Sequence, residues 1–208
     1  WSYYLIKASV ELAKEKAPCP LIAETKYGKG IVPIDTRKLD VDELVPQVER
    51  MDWTDLREQL QMHGIRNSTL MALMPSETSA QISNATNGVE PPRSFVSVKQ
   101  SIYNLKSKYD LLWDQQSPEG YLKIMAILQK YIDQGISVNT SYNPIHYEDE
   151  KIPMSLMIQH LLMFYKYGGK QLYYFNTNDG QGEIDVSKLD NLPAEEINNE
   201  EDCESCVL

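Results

Sequence analysis

Three groups of residues in this chain of 208 have the types and spacing to do chemistry. The first is Met74-Pro75-Ser76-Glu77-Thr78-Ser79-Ala80-Gln81-Ile82-Ser83, continuing through Asn84-Ala85-Thr86-Asn87-Gly88 to Glu90-Pro91-Pro92-Arg93. The apolar run Ser68–Leu73 ahead of it reads as a buried strand. Pro75 stops that strand, and Ser76 caps a helix that begins at Glu77. The first turn of such a helix has backbone N–H groups with no intrahelical partner, and its dipole favours negative charge. Thr78 and Ser79 add hydroxyl donors to the same turn. This is the best seat for a phosphate in the chain; the plainer reading is a Ser-rich cap. Glu77 weighs slightly against a phosphate, because its carboxylate must point away or bond a sugar hydroxyl.

The second group is the pair Tyr173-Tyr174. Phenols can lose an electron and a proton together, which leaves no isolated charge in a low-dielectric interior. Tyrosine is also a good strand former, and the chain has 13 of them, so a purely structural pair stands beside the redox reading. Adjacent strand residues point to opposite faces. For these two rings to stack, the strand must end, twist or bulge at Tyr173–Tyr174.

The third group is Cys203-Glu204-Ser205-Cys206. Two thiols without a second Cys pair or a Cys/His cluster fall short of a zinc site. A thioredoxin-like motif would open a helix in a βαβ unit, not sit in an acidic tail. A mobile dithiol that exchanges with disulfides elsewhere remains, with access and a partner thiol supplied by the tail. The acidic surroundings work against thiolate formation. Cys19 reads as a small buried residue, and the three histidines form no constellation.

The run from Leu73 to Ser79, with Ile82–Gly88 and Glu90–Arg93, closely resembles the large subunit of class I ribonucleoside-diphosphate reductases. Further segments agree in order: Glu11–Lys16, Gly64–Leu70, Tyr131-Ile132-Asp133-Gln134, Leu172-Tyr173-Tyr174 and the terminal cysteine pair. The resemblance covers the whole chain, but only the C-terminal part of that subunit. It implies that Pro75, Ser76, Glu77, Thr78 and Ser79 bind the diphosphate and ribose of a ribonucleoside diphosphate. It implies that Tyr173 and Tyr174 relay a radical, Tyr173 next to an active-site thiol and Tyr174 stacked on it toward the small subunit. Cys203 and Cys206 would re-reduce the active-site disulfide and be reduced in turn by thioredoxin or glutaredoxin. The family often has Gln where this chain has Phe175 and a basic residue where it has Asn178. The thiyl-radical cysteine, the reducing cysteine pair and their Glu and Asn partners lie upstream of this segment in the family. The chain itself is expected to hold no cofactor, and the complete enzyme to depend on the small subunit's metal/radical cofactor. The expected partners are the N-terminal remainder of the large subunit, the small subunit, thioredoxin or glutaredoxin, and the substrate. The alternative is a non-catalytic structural or assembly fragment; a stand-alone phosphate-binding redox adaptor is a third reading.

Composition bounds these readings. The length suffices for a sizeable core and nominally one domain. No apolar run reaches membrane-spanning length, no signal peptide opens the chain, and an odd cysteine count suits a reducing cytoplasm. The first residue is Trp1, so a partial or divided polypeptide is expected. The net charge is −10, and residues 179–208 hold ten acidic side chains against Lys188 alone, so −9 sits in the tail. Such a tail cannot bury enough apolar surface to offset its ordering entropy and is read as disordered. Nothing forms a basic nucleic-acid patch.

The elements that must position these groups follow from periodicity. Ser2–Lys16 reads as an amphipathic helix with Leu5, Ala8, Leu12 and Ala13 inward. A Pro/Gly loop follows to Pro46. Asp52 caps a helix over Trp53–His63, ended by Gly64. Strands are expected at Ser94–Val98, Ile136–Tyr142 and Gln171–Asn176. Helices are expected at Lys106–Gln116, from Ser117-Pro118 with Ile124, Ile127, Leu128 and Tyr131 on one face, and at Met154–Tyr167 before Gly168-Gly169. Helices alternating with short strands indicate α/β. By resemblance the body, 1–177, is the C-terminal part of a ten-stranded α/β barrel, and 178–208 is the acidic tail. Three or four strands cannot close a barrel.

Overall fold

A computed structural model describes residues 1–74, 76–83, 85–93, 96–99, 101–104 and 110–178. They form helices α1 (Ser2–Lys16), α2 (Trp53–His63), α3 (Glu77–Ser83), α4 (Glu119–Gln129) and α5 (Met154–Lys166). The strands are β1 (Val96–Lys99), β2 (Ser101–Asn104), β3 (Ser137–Tyr142) and β4 (Gln171–Thr177), joined by several short 3-10 turns. The chain is α/β. It divides into two compact units, one made of Trp1–Met74 and Gln116–Thr177, the other containing Pro75–Gln115.

The first unit holds the core, in which Ile6, Val10, Ile34, Val41, Leu56, Leu60, Ile65, Leu122 and Val138 are almost fully enclosed. Its two ends of α2 follow local chemistry: the Asp52 carboxylate accepts from the Asp55 amide, and Gly64, at φ 70°, donates its N–H to the Leu60 carbonyl. Both are what the sequence predicts. The inward faces of two helices differ from expectation. Helix α1 buries Tyr3, Ile6, Val10 and Ala13, whereas Ala8 and Leu12 are exposed. Helix α4 buries Leu122, Met125, Ala126 and Gln129, while Ile124 is exposed. Each helix has apolar residues on more than one side, so the period alone does not choose. Contact with the neighbouring elements chooses, as where the Tyr3 ring meets Trp53 edge-on at 5.3 Å.

The expected strand at Ser68–Leu73 is not one: this segment has no ladder partner among the described residues. Its backbone is bound by a side chain instead. Asp133 accepts from the Leu70 amide at 2.7 Å, the Met71 amide at 3.0 Å and the Tyr27 hydroxyl at 2.9 Å. The Gln134 amide donates to the Met71 carbonyl at 3.3 Å. Burial, reinforced by the Asp133 carboxylate, pushes the Tyr27 phenol far above its ordinary pKa.

The turn from α4 to β3 is splinted from within. The buried Gln129 amide group donates to the carbonyls of Ile132 and Gln134, and its oxygen accepts from the Ile136 amide. Lys130, enclosed beside it, pairs with Asp42 at 2.8 Å and donates to the Val45 carbonyl at 3.1 Å. Asp42 also takes a fork of hydrogen bonds from Arg37, which with Lys130 holds its carboxyl below the usual range. Cys19 is buried, as expected.

Strands β3 and β4 run parallel, and α5 makes the crossover between them. Gly168, at φ 90°, and Gly169 end α5. A Cβ on Gly169 would sit 2.2 Å from the Phe164 ring, so only glycine lets the chain turn here into β4.

In the second unit β1 and β2 pair antiparallel, from Val96 opposite Asn104 to Lys99 opposite Ser101. The expected strand Ser94–Val98 is thus found from Val96 on; 94 and 95 lie outside the described residues. Of the helix expected at Lys106–Gln116, residues 106–109 also lie outside them. The rest forms only a 3-10 turn over Leu112–Asp114, capped by bonds within the loop. The tail at 179–208 is likewise outside the described residues.

Asp133→Ala is expected to destabilise the fold by about 3 kcal/mol or more, because it orphans a buried hydroxyl and two amides at roughly 1–3 kcal/mol each. Asp133→Asn, which keeps one carbonyl acceptor, should lose less. Urea unfolding of the three proteins measures this, and an alanine variant within about 1 kcal/mol of the parent would remove Asp133 from its central place.

Candidate functional site

The tyrosine pair lies where β4 departs from regular pairing. Val138 is opposite Leu172 and Thr140 is opposite Phe175, so two residues, Tyr173 and Tyr174, face the single residue Asn139. This is a β-bulge, one extra residue on one strand. Its consequence is a change of phase. Leu172 and Phe175 are three apart, and a regular strand would turn them to opposite faces. Here both pair with residues of the buried face of β3, and Phe175 stacks on Tyr142 with ring centres 5.0 Å apart. The extra residue absorbs the change, and the Tyr173 and Tyr174 rings come together edge to face, centres 4.3 Å apart. The sequence requires such an irregularity if the rings are to meet, and the irregularity is there.

The Tyr174 amide donates to the Asn139 side-chain oxygen at 3.1 Å. The Tyr173 phenol beside it raises the Tyr174 pKa above the ordinary value. Both rings remain exposed. Beyond Phe175 the stack continues inward. The Tyr142 hydroxyl lies 3.0 Å from His160 Nδ1, and His160 Nε2 lies 3.3 Å from the Ser117 hydroxyl. Burial pushes the Tyr142 phenol up to about 12, with a smaller push from Tyr147. His160 is buried, and desolvation lowers its pKa against a weaker opposing pull from Glu119.

The sequence assigns Asn139, Tyr142 and His160 no role in the site, although it places the first two in an expected strand. The sequence shows that the strand must break its alternation, but not which residue of another strand stands opposite. The register that selects Asn139 is a tertiary fact.

The Ser76–Ser79 turn belongs to the second unit. Helix α3 opens at Glu77, as the Ser76 cap predicts, and the Ala80 amide closes its first turn onto the Ser76 carbonyl at 2.7 Å. The Ser76 amide is held by the Asn87 side-chain oxygen, so the loop after α3 folds back onto its start. The amides of residues 77–79 precede the first intrahelical bond. Ser76, Thr78 and Ser79 are exposed. Pro75, Cys203 and Cys206 lie outside the described residues. Among the described residues no cluster of three metal-ligating side chains occurs, and no helix is long and apolar enough to cross a membrane.

The chain is similar to known proteins over most of its length. A family model for the ribonucleotide reductase barrel domain matches residues 1–106 and 103–175. The chain is 53% identical over 189 residues to ribonucleoside-diphosphate reductase 1 subunit alpha of Salmonella typhimurium, covering 86% of this chain and 25% of that one. It is 52% identical to the subunit alpha of Haemophilus influenzae, covering 88% of this chain and 26% of the relative. The corresponding subunit of Enterobacteria phage T4 is 41% identical over 99% of this chain and 28% of its own length. The chain therefore spans about a quarter of the length of these curated relatives.

His160 generates a pH prediction. Its folded pKa lies below the ordinary imidazole value of 6.5. As pH falls through that value the unfolded chain takes up the proton first, so stability drops. The melting temperature is expected to fall between pH 7.5 and 5.5, and His160→Gln to flatten that segment. Equal slopes for parent and variant would show that His160 is not the group responsible.

Proposed function

The chain belongs to the ribonucleotide reductase barrel-domain family, and on that premise we propose that it is the C-terminal portion of a class I ribonucleoside-diphosphate reductase large subunit. In this reading it completes a ten-stranded barrel whose other strands come from the N-terminal remainder of the subunit. The assembled cytoplasmic enzyme reduces ribonucleoside diphosphates to deoxyribonucleoside diphosphates, the precursors of DNA. This chain contributes the substrate's phosphate contacts, the last steps of a radical relay and a reducing tail. The small subunit's metal/radical cofactor supplies the oxidant.

The observation that supports this most is the bulge that brings the two phenols within 4.3 Å, ring centre to ring centre. Two phenols in ring contact let the proton travel alongside the electron. In the proposed relay Tyr174 gives up an electron and a proton toward the small subunit. Tyr173 then passes a hydrogen atom to the Tyr174 radical. A thiol of the upstream portion passes one to Tyr173 and becomes the thiyl radical that acts on the substrate. Each step moves one electron with one proton, so no phenolate or bare cation radical has to be held near the core.

Ser76, Thr78 and Ser79, with the amides that open α3, are the donors proposed for the diphosphate, and Glu77 for a ribose hydroxyl. Pro75 is proposed to belong to the same substrate-binding segment. Cys203 and Cys206 carry electrons from thioredoxin or glutaredoxin to the disulfide that each turnover leaves behind. In sequence, Cys203 follows Tyr174 by 29 positions.

Two measurements test the proposal. In enzyme reconstituted with the upstream portion and the small subunit, Tyr173→Phe and Tyr174→Phe should each abolish turnover and leave diphosphate affinity unchanged. Only the removable phenol hydrogen is lost, so substantial activity in either variant would make the pair merely structural. Changing Cys203 and Cys206 to Ser should leave one round of product in pre-reduced enzyme and stop thioredoxin-driven cycling. A small dithiol that enters the site directly should partly restore it. Normal cycling in the double variant would end the shuttle role.

A further inference from the structure

We infer that Asn139, on the neighbouring strand, is the positioning residue of the tyrosine pair: its side-chain carbonyl takes the amide that the bulge removes from the ladder, and so fixes the register in which the two phenols meet. The inference rests on the relay reading for its functional meaning, and on the geometry of β3 and β4 for its structural content.

A bulge leaves one residue without a ladder partner, and an amide with nowhere to donate costs stability. The amide in question belongs to Tyr174, and it donates to Asn139 Oδ1 at 3.1 Å. Asn139 is the one residue of β3 that faces both tyrosines. Its reach suits the task. Neighbouring strands lie about 4.8 Å apart, and a carbonyl one carbon beyond Cβ can bridge to the next backbone.

Both flanks of the bulge are anchored, and the join between them is not. On one side Leu172 pairs with Val138, which is fully buried. On the other, Phe175 pairs with Thr140 and stacks on Tyr142, which His160 holds in turn. On the outward side Asn176 donates to the Ser141 hydroxyl at 3.4 Å. Between these anchors the backbone has an alternative, regular pairing in which Tyr174 moves opposite Thr140. That pairing restores strict alternation and sends the two tyrosines to opposite faces. It would also turn Phe175 away from Tyr142. The Asn139 side chain rewards the bulged register and gives the regular one nothing equivalent at Tyr174.

The test compares Asn139→Leu and Asn139→Ala, which remove the acceptor with and without keeping bulk, against Asn139→Asp, which keeps a side-chain oxygen in the same place. Turnover and diphosphate affinity are measured in the reconstituted enzyme. In the full 208-residue chain, 3-fluorotyrosine is placed at position 174 and its titration followed by 19F NMR. The leucine and alanine variants are expected to lose turnover about tenfold or more with unchanged diphosphate affinity. Their fluorophenol should titrate lower than the parent's, because the Tyr173 phenol that raises it no longer lies against it. The aspartate variant should recover most of the turnover. Reading both acceptor-free variants prevents a packing fault in one from deciding the result. Parental turnover and parental titration in both would overturn the inference. If Tyr173→Phe proves fully active, the relay reading fails, yet the titration still decides whether Asn139 holds the pair together. If Tyr173→Phe is inactive while the Asn139 variants match the parent, the relay stands and this inference falls.

Discussion

The two-residue period of a β-strand is the constraint on which the candidate site depends. Consecutive side chains of an extended chain cannot share a face. A pair of adjacent tyrosines therefore meets only where the strand breaks its own rule. In β4 the rule is broken by one residue, between Leu172 and Phe175, with the regular ladder resuming at Thr140. Everything near the site serves to make this local exception stable. Val138 and Tyr142 bury one face of β3, the α5 crossover delivers β4 alongside it, and Asn139 takes the amide left over. A bulge at any other position would move the same residues to other faces.

That strand pair is set in place by buried polar groups as much as by apolar packing. Gln129 closes the turn into β3 with three hydrogen bonds to backbone groups. Lys130 and Asp133, on either side of the same turn, tie it to residues 42–45 and to residues 27, 70 and 71. Buried polar groups are costly when unpaired and directional when paired. They define a single arrangement of a turn that apolar contacts alone would leave free to slide. The segment 68–73 shows the same physics from the other side. It is apolar enough for a strand, and a carboxylate satisfies its amides where a neighbouring strand would.

The relatives extend over about three and a half times the length of this chain. In the proposed assembly that difference explains an otherwise odd distribution of exposure. Tyr173, Tyr174 and Phe175 are each more than half exposed, and α5 presents Leu162 and Tyr165 outward. Redox phenols operate best away from bulk water, where a neutral radical finds no competing proton exchange. A face of β4 left bare in this chain is a face the remainder of a barrel would cover.

Several features could be read directly from the residues. Asp52 and Gly64 bound α2 because a carboxylate cap and a left-handed terminus are local devices. Gly168-Gly169 stops α5, Ser76 precedes α3, and β4 lies within a residue of its expected end for the same reason. The need for an irregularity at Tyr173–Tyr174 was equally local, since it follows from alternation alone. The family resemblance, carried by a long run of specific residues, is also a property of the sequence. Other features came only with the tertiary structure. The inward faces of α1 and α4, the loss of the strand at 68–73, and the choice of Asn139 opposite the bulge depend on which distant segments meet. Spacing along a chain fixes what each segment can form by itself. Which of its faces is buried, and which side chain receives a stranded amide, is decided by partners tens of residues away, and no local pattern encodes their register.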